Sequence, residues 1–407
     1  MTWQNTDSSP VPVLPRTLRP FLFAALGYLF VVQVALCVMS IRPALEGHAD
    51  FRTFYCDGYL VRTGHAKQLY DYDVQKQVQN ELVSPSNVAL PSDHPAYEAL
   101  LFVPFSLPSY RVGYFLFIGF DGALLVISAW LMRPYLTGLT AVWKMLPFAL
   151  FLLFFPAGIA LMQGQNSIVL LALYSGAFVA IVEGNDFRAG CLLGLALMKF
   201  QIALPVAVLY LIWRRWRMIA GFALSGFVVL ITSIWLVGLH GMVTHARFLL
   251  GAVNGLATSG DQSRNGIFPR AMPNLRGMLF SLGSAHLPNS WLQAGIAGVS
   301  LFVLWWTARR GKHITSPGSA FALAIVCALV VSYHLQLHDL VLLIVPIAVW
   351  LDRACQSSIA GESVTAAALP GLFFVQPIYL FLTTHGLLSL LSLPILALLF
   401  LWPESER

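Results

Sequence analysis

Polar residues interrupt the apolar sequence at a few separated sites, and the first two suit proton transfer and sugar binding. Asp50 follows the first apolar run, where its carboxylate could act as a general base toward an acceptor hydroxyl. On position alone, an interfacial helix cap or a loop ion pair is the alternative. Gln163, Gln165 and Asn166 offer neutral amides for sugar hydroxyls or a phosphate, unless they form only a turn with Asn166 as a helix N-cap.

The next two sites contain the basic and imidazole groups. Lys199 lies near the middle of an apolar stretch and needs an anionic partner, such as a lipid phosphate or Asp50, unless it snorkels to the interface. His334, His338 and Asp339 form the densest cluster, and histidines four residues apart share one helix face. They could bind a metal, contact a phosphate, orient a base or form a satisfied interfacial pair. No specific metal motif is present, and no metal or cofactor is assigned.

A further group is basic and comprises Arg264, Arg270 and Arg276, accompanied by Asn265 and Asn274. Such a stretch beside a membrane could clamp a phosphate or diphosphate, or it could contact lipid head groups as a solvated loop. The chain contains no Walker A, GxGxxG or GxSxG motif, so no motif indicates nucleotide binding or a serine hydrolase.

The composition is that of a membrane protein. Of the 407 residues, 58% are hydrophobic and 10% charged, whereas soluble domains contain about 25% charged residues. The net charge of +6 is not gathered into a basic cluster interleaved with aromatics, so no nucleic-acid partner is predicted. The five cysteines have neither zinc-ligand spacing nor a disulfide pattern.

The apolar runs predict an all-α polytopic bundle, since a helix of about 20 apolar residues crosses a bilayer. A stretch at about 188–213 is broken by Lys199 and Gln201, which predicts a pair of short helices instead of one straight span. About ten full spans are predicted, at approximately 20–40, 112–132, 145–163, 167–183, 217–239, 288–308, 318–333, 338–351, 364–382 and 384–402.

Lys and Arg in the short loops predict the orientation. With the N-terminus inside, every short loop assigned inside is basic, whereas the short outer loops around 163–166, 333–339 and 383–386 contain no Lys or Arg. This alternation requires residues 188–213 to return to the side that they left, with Lys199 near the tip. Both termini are then cytoplasmic, in a bacterial inner (plasma) membrane.

Two longer outer loops, 41–111 and 240–287, complete a single predicted domain over residues 1–407. The first apolar run has no small-residue cleavage site after it and is predicted to remain as a signal anchor. The four polar sites then converge on the outer face. Because ionisable groups at membrane depth usually face a cavity or a functional pathway, this face is predicted to contain the active site.

The order of these motifs resembles glycosyltransferase family 87, also described as DUF2029, within the GT-C superfamily. The resemblance covers about 20–350, each motif is short, and their order and common membrane face make the set specific. The matching segments are Asp50 to Tyr55, Gly64, Leu69 to Asp71, Pro95 to Tyr97, Gly164 to Asn166, Gly194 to Lys199, and His334 to Asp339 ahead of Leu340. Departures from the family pattern are His94-Pro95-Ala96-Tyr97 in place of a Tyr-Pro-Pro type motif, and Phe200 where a proline often follows the lysine.

The resemblance implies a GT-C fold and an enzyme that transfers a hexose, mannose above all, from a polyprenyl-phosphate donor to a lipid or glycan acceptor. Asp50 matches the catalytic base, and Lys199, His334 and His338 match positions that hold the donor phosphate. Direct displacement by the acceptor would invert the anomeric centre. No second carboxylate is obviously paired with Asp50 as a nucleophile, although Asp57 could reach it on a helical turn.

Two other functions would use the same features. A transporter or lipid-linked-sugar flippase would also contain broken helices and buried charges near the midplane, although it usually has paired discontinuous segments in two halves. A non-catalytic assembly or scaffold protein would tolerate loss of Asp50, whereas an enzyme would not. Besides donor and acceptor, only membrane lipids are predicted as partners.

Overall fold

The computed structural model describes residues 19–86, 88–254, 268–356 and 360–403, and that part of the chain is helical without strands. Short 3-10 turns join many of the helices. The helices are α1 (Arg19–Pro43), α2 (Phe51–Arg62), α3 (Tyr72–Leu82), α4 (Ala99–Phe102), α5 (Tyr110–Met132), α6 (Thr137–Val142), α7 (Leu146–Leu153), α8 (Phe155–Gln163), α9 (Ser167–Val182), α10 (Asp186–Leu195), α11 (Phe200–Ile212), α12 (Trp216–Asn254), α13 (Leu275–Gly283), α14 (Asn289–Gly311), α15 (Pro317–Val331), α16 (Ile344–Gln356), α17 (Ala360–Gly371), α18 (Gln376–Thr384) and α19 (Ser392–Phe400).

Fewer helices than ten have the length of a full membrane span. By length and composition alone, five helical segments of the described chain could cross a bilayer, or up to seven if each of two bent pairs forms one span. The bends are 54° between α7 and α8 and 55° between residues 366–374 and α18. Each second helix has a proline in its first turn, Pro156 and Pro377, where a new helix starts readily but an existing one is interrupted.

The interior of the bundle explains why several apolar helices are short. Residues Phe321 to Val330 of α15 are each at most 1% exposed, so this helix is enclosed by protein. Within the 3-10 turn Leu337–Leu343, Asp339 and the four residues that follow it are each 0% exposed. Protein contacts can replace the length and regular backbone that lipid would require. By contrast, α1 presents Phe21, Phe30 and many other apolar side chains outward, as a lipid-facing helix does.

Residues 186–212 are long and apolar enough for one crossing, yet their two ends lie side by side. The Arg215 guanidinium donates to both oxygens of the Asp186 carboxylate, at 2.7 Å each. A straight helix of this length would separate its ends by about 40 Å. The segment therefore turns back at the 3-10 turn Ala196–Lys199, as expected for the pair of short helices, and Lys199 lies in the turn.

The segment predicted as a second loop from residue 240 begins instead as helix. α12 continues to Asn254 across a kink at Gly238, where φ is 71°. The apolar side chains that follow the kink extend the helical pattern beyond the predicted boundary. The first predicted loop is also largely helical, since it contains α2, α3 and α4. Phe51 and Phe54 of α2 pack there against Phe102 and Phe117, which fixes α2 on the bundle.

Candidate active site

A cavity of about 170 Å³ lies where the start of α2, the α8–α9 turn, the turn at Lys199 and the segment after α15 meet. Asp50, Gln165, Lys199, His334 and His338 all line it. These residues come from four distant parts of the sequence, so the predicted convergence of the polar sites is observed. The remaining lining residues are Thr53, Phe54, Leu90, Pro91, Asp93, His94, Met198, Phe200, Gln201, Leu249, Tyr333 and Gln336.

The α8–α9 turn holds Asp50 by its backbone and its side chain. The backbone N–H of Asp50 donates to Gln163 Oε1 at 3.2 Å, and Gln165 Nε2 donates to Asp50 Oδ2 at 2.6 Å. Gln163 therefore positions Asp50 from outside the cavity, whereas Gln165 contacts the carboxylate inside it. The carboxylate keeps its second oxygen for another partner.

Gly164 allows this close approach. Its φ of 60° lies in the left-handed region, and a Cβ at this position would be 2.7 Å from Phe51 Cβ, next to Asp50. Only a glycine combines that backbone conformation with that contact at low cost. The α8–α9 turn can therefore lie directly against the start of α2.

We expect Gly164→Ala to destabilise the protein and to lower activity, because both the left-handed backbone and the Phe51 contact are lost. Gly184→Ala is the matched control, since Gly184 also has a positive φ of 78° but nothing within 4 Å of the added methyl. Both changes should cost about 1–2 kcal/mol from the backbone, measured by thermal unfolding in detergent. Only Gly164→Ala should also displace Asp50; equal activities would show that the contact is dispensable.

Lys199 has Asp339 as its buried partner. Lys199 Nζ lies 2.5 Å from Asp339 Oδ1, which also accepts a hydrogen bond from Ser167 Oγ at 2.8 Å. The other oxygen, Asp339 Oδ2, accepts from the backbone N–H of Gln336 at 2.9 Å. Asp339 is 0% exposed and does not line the cavity. It is therefore the counterion of Lys199, whereas the sequence had placed it among the donor-binding residues. Lys199 itself faces the cavity, with His338 Nε2 at 3.4 Å.

Asn166 is also displaced from its predicted role. It is fully buried behind the cavity, its side chain makes no N-cap hydrogen bond to α9, and its amide donates to the Glu98 carboxylate. The amide also lies 3.4 Å from His94 Nδ1. Asn166 therefore positions other side chains and does not line the cavity.

The two described arginines of the predicted clamp, Arg270 and Arg276, do not line the cavity. Arg270 is exposed and donates to Ser284 Oγ at 3.0 Å, because the 3-10 turn Pro269–Ala271 packs beside the end of α13. Arg276 is buried and donates to the backbone carbonyl of Tyr333, which places it behind the cavity wall. Arg264 lies outside the described residues.

The model of glycosyltransferase family 87 matches residues 94–346, which is more than half of the chain. The chain belongs to glycosyltransferase family 87. The match begins at His94 and thus includes Gln165, Lys199 and the His334–His338 segment but not Asp50. No curated protein and no solved structure matches the chain.

In this family 87 glycosyltransferase, two buried polar atoms at the cavity have no hydrogen-bond partner among the described residues. They are Gln165 Oε1 and His334 Nδ1, and both residues line the cavity. Buried polar atoms are nearly always paired in folded proteins. One acceptor and one ring nitrogen are therefore available to a polar ligand.

Asp93 and His94 also line the cavity, and sequence reasoning did not select them as site residues. His94 lies between two acids, with Nε2 3.2 Å from Asp93 Oδ1 and Nδ1 3.0 Å from Glu98 Oε2. Two carboxylates and an imidazole within six positions, Asp93, His94 and Glu98, formed the signal in the sequence. They occur in an irregular stretch where no helical pattern indicates which way they face.

Burial raises the pKa of Asp50 above its ordinary value, although the Gln165 hydrogen bond and the charge of Lys199 oppose the rise. Gln165→Met removes the donor and should raise this pKa further. Because a general base acts in its deprotonated form, the acid limb of the kcat/KM profile should move to higher pH. An unchanged limb in Gln165→Met would show that another group titrates in this range.

Proposed function

We propose that this glycosyltransferase transfers a hexose, with mannose as the first candidate, from a polyprenyl-phosphate donor to a lipid or glycan acceptor, with inversion. The observation that carries the proposal is the pairing, in one cavity, of a held carboxylate, Asp50, with a fixed ammonium, Lys199. Such a pairing suits a reaction in which a hydroxyl loses a proton and a phosphate departs. The unpaired atoms of Gln165 and His334 supply further polar contacts.

In this mechanism Asp50 accepts the proton of the acceptor hydroxyl while the hydroxyl oxygen attacks the anomeric carbon. The bond between that carbon and the phosphate oxygen breaks, and its electron pair leaves on the phosphate. Lys199, His334 and His338 lie along the same cavity, where positive charge and N–H donors stabilise the developing phosphate charge. A phosphate is already a good leaving group, so no further acid is required of the protein.

The environment of Asp57 favours a single displacement. Asp57 accepts a hydrogen bond from Ser92 Oγ at 2.7 Å, is 4% exposed and does not line the cavity. Asp57 is therefore not the nucleophile of a double displacement. Direct attack by the acceptor inverts the anomeric configuration.

Charge distribution supports an extracytoplasmic cavity and cytoplasmic termini. Lys199 lies at the tip of the 186–212 turn, and the opposite end of that turn meets Arg215. Trp213 Nε1 donates to the carbonyl of Ala308 at 2.9 Å, which places the 309–312 basic cluster at this same opposite end. Basic loops stay in the cytoplasm, so the cavity end would face outward, in a bacterial inner membrane.

The donor class can be tested with the purified chain in liposomes. Radiolabelled polyprenyl-phosphate mannose, polyprenyl-phosphate glucose and a nucleotide-linked mannose are supplied separately, with a membrane lipid extract as acceptor source. We expect a new labelled glycoside from a polyprenyl-phosphate sugar and none from the nucleotide sugar. Movement of the donor across the bilayer without a new glycosidic bond would instead identify a flippase, and transfer from the nucleotide sugar alone would contradict the proposed donor.

A further inference from the structure

The cavity contains a second carboxylate, Asp93, which two histidines contact at its side chain and at its backbone. His94 Nε2 lies 3.2 Å from Asp93 Oδ1, and His245 Nε2 lies 3.0 Å from the Asp93 backbone carbonyl. The Asp93 side chain is 29% exposed, and the residue lines the cavity. It is therefore held in place and still open to a ligand.

The geometry around His94 favours its imidazolium form. A neutral imidazole has one N–H, yet both ring nitrogens of His94 face carboxylates, Asp93 on one side and Glu98 on the other. Burial lowers the pKa of His94, but Glu98 and Asp93 outweigh burial and raise the pKa to about 9. His94 consequently donates on both sides, and the Asn166 amide donates to Glu98 behind it.

Asp50 and Asp93 lie in the same cavity but in different environments. Burial raises the pKa of Asp50, which makes it a better proton acceptor near neutral pH. Burial would also raise the pKa of Asp93, but His94, His334 and Lys199 together lower it. Asp93 thus stays ionised and accepts hydrogen bonds without taking the proton. Two carboxyl groups whose environments shift their pKa values in opposite directions can have two different roles.

We propose that Asp93 forms a sugar-hydroxyl subsite, in which its carboxylate accepts hydrogen bonds from hydroxyls of the transferred hexose. His94, Glu98 and Asn166 are the positioning residues behind it. This inference rests on the proposed function, because it requires a hexosyl donor in the cavity. Asp93 would then determine which hexose is transferred, while Asp50 accepts the proton.

The test compares kcat/KM for polyprenyl-phosphate mannose and its 2-, 3-, 4- and 6-deoxy analogues. For the wild type, kcat/KM should be about ten- to hundredfold lower with at least one deoxy donor, because the ionised Asp93 carboxylate then lacks its hydroxyl partner. Asp93→Asn should transfer the parent sugar more slowly by a similar factor and no longer discriminate against that analogue. The matched control is Asp73→Asn, the same change at an exposed position in α3, which should behave as the wild type.

The outcomes separate the two proposals. If Asp93→Asn lowers kcat/KM by the same factor for every donor, discrimination among the donors is unchanged. That result would overturn the hydroxyl subsite while leaving the transferase proposal intact. Asp93→Ser provides a second variant if Asp93→Asn does not fold, as judged by gel filtration in detergent. If the wild type transfers sugar from no polyprenyl-phosphate hexose, the proposed donor fails and the subsite fails with it.

Discussion

Asp50→Asn should lower kcat for sugar transfer by about 10²–10⁴-fold, the range that removal of a general base produces. Asn has almost the same shape and can still contact Gln165, but it cannot accept the proton of the acceptor hydroxyl. Donor binding should be retained, because the phosphate is held by other residues. The measurement is single-turnover transfer from labelled donor, with donor affinity determined separately.

Asp57→Asn is the control for this change, seven residues later in α2. Burial raises the pKa of Asp57 to about 8, despite the Ser92 hydrogen bond, so its carboxyl is mostly protonated at pH 7 and an amide is a close replacement. Transfer by Asp57→Asn should remain within a few-fold of the wild type. If Asp50→Asn kept most of its activity while Asp93→Asn lost it, Asp93 would be the base.

The residues that form the cavity could be predicted from the sequence, whereas the residues that pair with them could not. Asp50, Gln165, Lys199 and His334 are recognisable because each is a polar residue at the end of, or inside, an apolar run. That pattern follows from the cost of placing polar groups in lipid, so it is visible without the fold. Their convergence follows from a consistent topology, and the Asp186–Arg215 pair supports the required return of residues 186–212.

Pairings across the chain could not be predicted in the same way. Lys199 and Asp339 are 140 residues apart, and the candidates from the sequence were a lipid phosphate and a carboxylate such as Asp50. Arg270 has the charge that a phosphate clamp needs, but where its side chain points depends on how the turn packs against Ser284. Helix breaks at Pro156 and Pro377 could have been inferred from proline alone, whereas the short enclosed α15 depends on which helices surround it.

Lys199→Met should be the most destabilising single change in the cavity, by about 3–5 kcal/mol, because Asp339 becomes a buried carboxylate without its cation. Asp339 is 0% exposed, and its two remaining hydrogen bonds from Ser167 and Gln336 do not neutralise its charge. Arg215→Met is the control: it breaks an ion pair whose Arg215 side chain is 43% exposed, and should cost less than about 1 kcal/mol. Thermal unfolding in detergent, followed by circular dichroism, measures both changes.

The double variant Lys199→Met with Asp339→Asn separates the structural role of Lys199 from its proposed chemical one. Asn removes the uncompensated charge and can still accept from the Gln336 backbone, so most of the lost stability should return. Transfer should nevertheless stay low, because the cavity still lacks the ammonium that stabilises the departing phosphate. Recovery of both stability and transfer in the double variant would show that Lys199 only neutralises Asp339, and the phosphate would then have to be held by His334 and His338.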